Sequence, residues 1–346
     1  MLIDFIPHSR PTLGPEESKA ASAVVESGHI AEGELVQKFE DVFARKMDTR
    51  HAVATSSGTA ALHLTLLAMG IGSDDEVIMP SYVCTALLNA VRYVEAVPVL
   101  AEIDPLTYNI DPGDVKKRLT MRTKAIIVPH MFGLAADLDK LLALNVPLIE
   151  DCAQSVGGNL ANKPLGTFGD ACIFSFYATK VITCGEGGMV ICNSSKLADR
   201  IKDLKAYDQK DRYETRFNYK MTDIQAAIGL AQLEKLNAFI QQRRTIAQKY
   251  FRAFQSLGLR LPTDCPAHIY YRFVVGLDTE SQPLISKLRQ KGIGCARPIY
   301  VPLHHCLKLS GFPITDNAWR TSLSIPIYPS LSDQDVQRVI EAFVGA

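Results

Sequence analysis

The chain predicts an α/β protein: a large domain over residues 1–237 with a mostly parallel central sheet flanked by helices, then a smaller α+β domain over 238–346. Three observations carry this. Short β-branched apolar runs alternate with helix-like segments between about residues 50 and 193, the pattern of strands buried on both faces. The alternation stops after Asn193, where one long helical stretch and a mixed strand-and-helix tail follow. And 346 residues exceed the ~250–300 at which single hydrophobic cores stop growing.

Taken in order, HAVAT (51–55) is the first strand, followed by an Ala/Leu-rich helix over 59–69 that ends at Gly70. EVIMP (76–80) precedes a helix over 83–94, and VPVLAEI (97–103) is the next strand. KAIIVP (124–129), VPLIED (146–151), ACIFSF (171–176) and GMVICN (188–193) complete the set. A helix begins near Thr222, with Asp223 supporting its first turn, and carries an apolar stripe of Ile224, Ile228, Leu230, Leu233 and Leu236. Its helical character persists to Leu257, too long for one core helix, so a break or domain crossing is expected near Ala238. The tail reads as strand (IYYRFVVGL), helix (PLISKLRQKG), strand (CARPIYV), the run LSIPIYP and a closing helix, DVQRVIEAFV.

Composition narrows the function. Basic and acidic residues balance at 37 each, so no field draws nucleic acid or an anionic membrane. An anion site would have to be built from backbone amides. The cysteines at 84, 152, 172, 184, 192, 265, 295 and 306 form no Cys-x-x-Cys pair, which argues against zinc ribbons and redox centres, and no metal is expected. Cysteines inside apolar runs suit a reducing, cytoplasmic setting. The N-terminus carries Asp4 and lacks a long apolar run, unlike a secretory signal. No apolar stretch reaches the ~20 residues of a membrane-spanning helix.

Four segments can carry chemistry. Ser56-Ser57-Gly58-Thr59 joins a strand to a helix and exposes free N–H groups where the helix dipole favours an anion such as phosphate, although an ordinary N-cap has the same look. Glu150-Asp151-Cys152-Ala153-Gln154 puts a carboxylate at a strand end, able to cap a loop, bind a metal or pair with a protonated ring nitrogen. In Phe174-Ser175-Phe176-Tyr177-Ala178-Thr179-Lys180 an aromatic strand runs out into one lysine. A lone lysine is ordinarily a solvated surface group, but a partly desolvated one becomes a nucleophile toward an aldehyde. The glycines at 185, 187 and 188 lack the G-x-G-x-x-G spacing and precede a strand, which excludes nicotinamide binding. Finally, Asn218 in FNYKM can cap a helix or give an amide to an anion.

In this order SSGTAALHL, EDCAQS, FSFYATK, GEGGM and NYKMTDIQAAIGLAQL resemble the DegT/DnrJ/EryC1/StrS family of sugar aminotransferases. The likeness extends to LGPEESKAASAVVESGHIAEGELVQKFE near the start and to VPLH and LSIPIYPSLSDQDV near the end. It implies the transferase fold type I of pyridoxal 5′-phosphate (PLP) enzymes and a reaction between an amino acid donor, glutamate by resemblance, and a keto-sugar acceptor linked to a nucleotide. Lys180 matches the lysine bonded to the cofactor aldehyde, Asp151 the carboxylate on the pyridine nitrogen, and Gln154 the residue beside the phenolic oxygen. Gly58, Thr59 and Ser175 match phosphate-binding positions, and Asn218 an asparagine that reaches the phosphate of the neighbouring subunit in a homodimer whose active site lies at the subunit interface.

Some positions depart from the family pattern. Cys84 stands where an aromatic residue ordinarily covers the cofactor ring, with Tyr82 the nearest aromatic to compensate; Lys220 replaces a common arginine and Val181 a common asparagine. The rival readings are a sugar dehydratase, which carries histidine in place of Lys180, a cyclitol aminotransferase, differing only in its acceptor pocket, and a regulatory protein that binds PLP or a sugar nucleotide without turnover. His130, His304 and His305 read as structural histidines before they read as acceptor contacts.

Overall fold

The protein is described over residues 5–346 by a computed structural model. Helices α1 (Pro15–Ser27) and α2 (Glu34–Lys46) lead into β1 (His51–Thr55), and α3 (Gly58–Ala68) follows. β2 (Glu76–Pro80), α4 (Thr85–Tyr93), β3 (Val97–Ala101), α5 (Pro112–Arg118), β4 (Thr123–Pro129), α6 (Leu138–Leu142) and β5 (Leu148–Asp151) continue the alternation. A two-residue hairpin, β6 (Asn159–Leu160) and β7 (Lys163–Pro164), precedes β8 (Ala171–Ser175), β9 (Gly188–Cys192) and α7 (Ser195–Leu204). Beyond the long α8 (Asp223–Phe254) lie β10 (Phe273–Gly276), α9 (Ser281–Gln290), α10 (Leu303–Cys306), α11 (Pro313–Thr321), β11 (Ser322–Ile325) and α12 (Asp333–Val344).

The main sheet has the order β1-β9-β8-β5-β4-β2-β3. Only β9 runs against its neighbours; the other pairings are parallel. Successive side chains point to opposite faces, so each strand feeds two cores. Ile126, Val128, Leu148, Cys172 and Phe174 meet Phe39, Phe43 and Phe176 on one face. Ala125, Ile127, Ile149 and Ile173 meet Leu62, Leu64, Leu66 and Tyr82 on the other. Burial on both sides explains the unbroken apolar runs of the sequence. A third cluster around Tyr250, Phe254, Phe273, Leu323 and Phe343 holds the small sheet of β10 and β11.

Several expectations need correction. No break occurs near Ala238: α8 is continuous over 32 residues. Its first half packs Leu233, Leu236 and Ile240 into the core with Phe39, and its second half packs Ile246, Tyr250 and Phe254 into the third cluster, so two cores share the helix. Asp223 stands in the first turn of α8, as expected, and also supports a second helix. Thr222 caps α8 through Gln225 N–H, while the Asp223 carboxylate accepts the N–H groups of Gly33, Leu35 and Val36 at the start of α2. The run CARPIYV makes only the bridge Ala296–Ser324, because Pro298 has no N–H to give to a ladder.

Candidate active site

The parallel strands all end at one edge of the sheet, where ligands bind in such folds. There β5 delivers Asp151, β8 delivers Ser175, and the segments after β2 and β8 bring Cys84 and Lys180. Asp151 is buried, and its carboxylate accepts one hydrogen bond, from Ala153 N–H at 2.9 Å. Burial pushes the Asp151 pKa up, against the pull of that N–H and of the nearby positive charge of Lys180. Cys84 holds the N-cap position of α4 without a capping side-chain bond; desolvation raises its thiol, which also feels Lys180 and Asp151. Lys180, Asp151 and Cys84 thus lie close enough at the strand ends to act on one another's charge.

Tyr271 joins them, a residue inside an apolar run that carries no local sign of such a role. Lys180 Nζ lies 5.4 Å from the centre of its ring and the Arg272 guanidinium 5.0 Å from the same point. Burial would raise the Tyr271 hydroxyl, but Lys180, Arg272 and a hydrogen bond with Thr179 bring it down to about 7. Tyr82 does not compensate for Cys84. It is wholly buried and stacks on Tyr108 at 5.8 Å, so it presents no face to the cleft.

The start of α3 is held against the end of β8. Ser57 Oγ accepts Ala60 N–H at 3.1 Å, leaving the amides of Gly58 and Thr59 without partners in the first turn. A Cβ on Gly58 would lie 2.8 Å from Ser175 Cβ, and one on Gly188 would lie 2.3 Å from Ser57 O. Glycine is needed at both places for this close approach. Thr59 lines an adjoining cavity of about 390 Å³ with Ser57, Thr85, Asn89 and Tyr219. Ser56 N–H donates to Tyr219 O at 2.8 Å, which ties the segment containing Asn218 to the same loop. Asn218 itself is exposed and touches none of the other predicted residues. Gln154 turns its Oε1 to Phe132 N–H at 3.0 Å, a left-handed residue (φ 58°), and so fixes the turn after β4 beside Asp151.

Three histidines take structural places. His130 Nδ1 accepts Ala136 N–H at 3.1 Å, so its proton sits on Nε2 and is donated to Glu150 at 2.9 Å. His304 is buried between Ser81 Oγ (2.6 Å) and Asp316 (3.1 Å), and His305 reaches Asp316 at 2.7 Å. Of the departures, Lys220 pairs with Asp208 at 3.2 Å and Val181 is buried.

These groups fit PLP on their own chemistry. A buried carboxylate with one hydrogen bond suits a protonated pyridine nitrogen, free amides at a helix start suit a phosphate, and a lysine near that carboxylate suits an aldehyde. No helix among the described residues is long and apolar enough to cross a membrane.

Residues 11–344 match the profile of the DegT/DnrJ/EryC1/StrS aminotransferase family. The aminotransferase TlmJ from Streptoalloteichus hindustanus superposes with a TM-score of 0.92 at 31% identity over 97% of each chain. DesV from S. venezuelae gives 0.90 at 31% identity, covering 97% of this chain and 98% of its own. A DegT DnrJ EryC1 StrS aminotransferase from Brucella abortus gives 0.89 at 29% identity over 95% of each. The strand-end pocket and these likenesses agree: the chain belongs to the DegT/DnrJ/EryC1/StrS family and is a PLP-dependent aminotransferase of fold type I.

Proposed function

We propose that the enzyme moves an amino group from an amino acid, glutamate in the first instance, to a keto sugar carried on a nucleotide. The observation that carries this is the positive charge of Lys180 near the under-bonded, buried Asp151 at the strand ends. When bound, PLP supplies an electron sink that lets the donor's Cα–H bond break. Lys180 Nζ would hold the cofactor through its aldehyde carbon and, as a free amine, would be the base placed to take the proton from the donor Cα. Asp151 keeps a proton on the ring nitrogen by its opposite charge. Gly58 and Thr59 amides with Ser175 Oγ hold the phosphate, and Gln154 flanks the phenolic oxygen.

We place Asn218 on the phosphate of a second copy in a homodimer; its exposure beside the loop that carries Ser56 supports this. A reducing, cytoplasmic setting suits the eight unpaired cysteines. The test is a half-reaction: holoenzyme mixed with glutamate should lose its cofactor absorbance, and a panel of nucleotide-linked keto sugars should restore it. No spectral change with any amino acid would end the proposal. Lys180→Ala should abolish turnover and borohydride trapping at that position while leaving the melting temperature within a few degrees. Full activity in that variant would remove Lys180 from the mechanism.

A further inference from the structure

Two histidines that amino transfer does not use converge on one carboxylate. His304 Nε2 lies 3.1 Å and His305 Nε2 2.7 Å from the same atom, Asp316 Oδ1, and the three ligand atoms lie within 4.8 Å of one another. Neighbours along a helix ordinarily point apart. Here the two rings meet edge to face, their centres 4.3 Å apart, and both turn toward α11. The cysteine spacing predicts no metal, but two imidazole nitrogens and a carboxylate oxygen are the donors that a zinc-like cation takes.

Each donor is held in place by the fold. His304 is buried, its ring stacked on Phe312 at 4.8 Å and its Nδ1 2.6 Å from Ser81 Oγ. A metal on Nε2 requires the ring proton on Nδ1, and a hydroxyl can accept that proton's hydrogen bond. Asp316 rides on α11, whose first turn is fastened by Glu102: that carboxylate accepts Ile314 N–H at 2.9 Å, Thr315 N–H at 3.0 Å and the Thr315 hydroxyl at 2.6 Å. His305 rests against the Trp319 ring at 5.0 Å and a right angle. The three donors are therefore positioned before a cation arrives. Among the described residues Asp316 pairs with no lysine or arginine, only with these two histidines, so no fixed cation competes for its charge. The side chains of His305 and Asp316 are 34% and 43% exposed, which leaves the remaining coordination positions to water.

We propose that His304 Nε2, His305 Nε2 and Asp316 Oδ1 bind one divalent transition cation of the zinc class, which clamps α10 to α11. The site is independent of the amino-transfer reading. Holoenzyme dialysed against Zn²⁺ should retain one equivalent more than His305→Ala or Asp316→Asn, two changes at part-exposed side chains that leave the buried His304 in place. Mg²⁺ and Ca²⁺, which take oxygen ligands, should not displace it. Trp319 is the only tryptophan and touches His305, so Ni²⁺ with its open d shell should quench the fluorescence saturably, and excess Zn²⁺ should restore it. In either variant the half-saturating Ni²⁺ concentration should rise at least ~10-fold. His29→Ala, which removes an exposed histidine elsewhere, should match the wild type. Should a variant fold poorly, the wild-type quench and its reversal by Zn²⁺ decide by themselves. Wild-type fluorescence indifferent to Ni²⁺, equal zinc retention in wild type and both variants, or zinc that is lost with the exposed thiol in Cys306→Ser and not with His305→Ala, overturns the assignment.

Discussion

Glu150 and Asp151 stand side by side at the end of β5, both carboxylates and both buried. The two-residue period of the strand turns them to opposite faces of the sheet, and their surroundings differ accordingly. Glu150 Oε1 accepts Phe168 N–H and Gly169 N–H at 2.7 and 2.9 Å, and Oε2 accepts Gly166 N–H and His130 Nε2–H at 2.8 and 2.9 Å. Burial would lift its pKa, but His130 and those N–H groups hold it below the usual carboxylate value. Asp151 has one donor and is pushed upward by desolvation. The lesson is that burial alone marks neither structure nor function. A carboxylate whose lone pairs are all met by the fold builds the fold; one left short of partners is held ready for a ligand.

The contrast can be broken by exchanging each acid for its amide. Asp151→Asn should cost roughly three orders of magnitude in turnover, the scale of losing one aligned electrostatic partner in a dry site. Its effect on the cofactor-free protein should run the other way. A raised carboxylate pKa stabilises the fold only at low pH, and that contribution is lost as pH rises through the folded-state value. At pH 7 the asparagine variant should therefore melt at the same temperature or higher. A large drop in melting temperature with intact kinetics would reverse the assignment.

Glu150→Gln should do the opposite. Its NH2 would face N–H donors where the carboxylate accepted them, at a cost of about 2–4 kcal/mol in stability. The wild-type contribution of Glu150 is present above the unfolded carboxylate pKa and is lost as pH falls through the depressed folded value. Denaturant midpoints for wild type and Glu150→Gln should accordingly converge in acid and separate toward neutrality. Parallel curves at all pH values would show that the Glu150 charge does not support this corner of the fold.

Much of this was legible before any coordinates, and for identifiable reasons. The sheet strands announce themselves because strands buried on both faces must be continuous apolar runs, and Asp151 and Lys180 stand out as charged residues where such runs end. The shared long helix was misread because length alone suggested a break, while Leu236, Ile240, Ile246 and Tyr250 serve two different cores without a change in helical pattern. Tyr271 left no local signal, since its place beside Lys180 joins residues about 90 positions apart. Tyr271 lies in an apolar run and meets Lys180 only in three dimensions. Cys84 was recognised as a departure, but only packing shows that Tyr82 cannot stand in for the missing ring.

The same distinction between satisfied and under-satisfied groups extends to the start of α3, where the effect should be smaller. The Gly58 and Thr59 amides are donors without acceptors in the fold, as Asp151 is an acceptor short of donors. Gly58→Ala leaves their number unchanged and alters only their position. The new Cβ would sit 2.8 Å from Ser175 Cβ and 3.3 Å from Ser175 Cα, so α3 must back away from β8, an overpacking cost of about 1–3 kcal/mol. Part of that strain falls on the phosphate-facing amides, and the dissociation constant for PLP should rise about 10-fold. Gly72→Ala is the matched control, because a Cβ there meets nothing within 4 Å and its φ is not left-handed. PLP titrations of the two variants by cofactor absorbance should therefore diverge, and equal affinities would mean that the position of these amides is not what holds the phosphate.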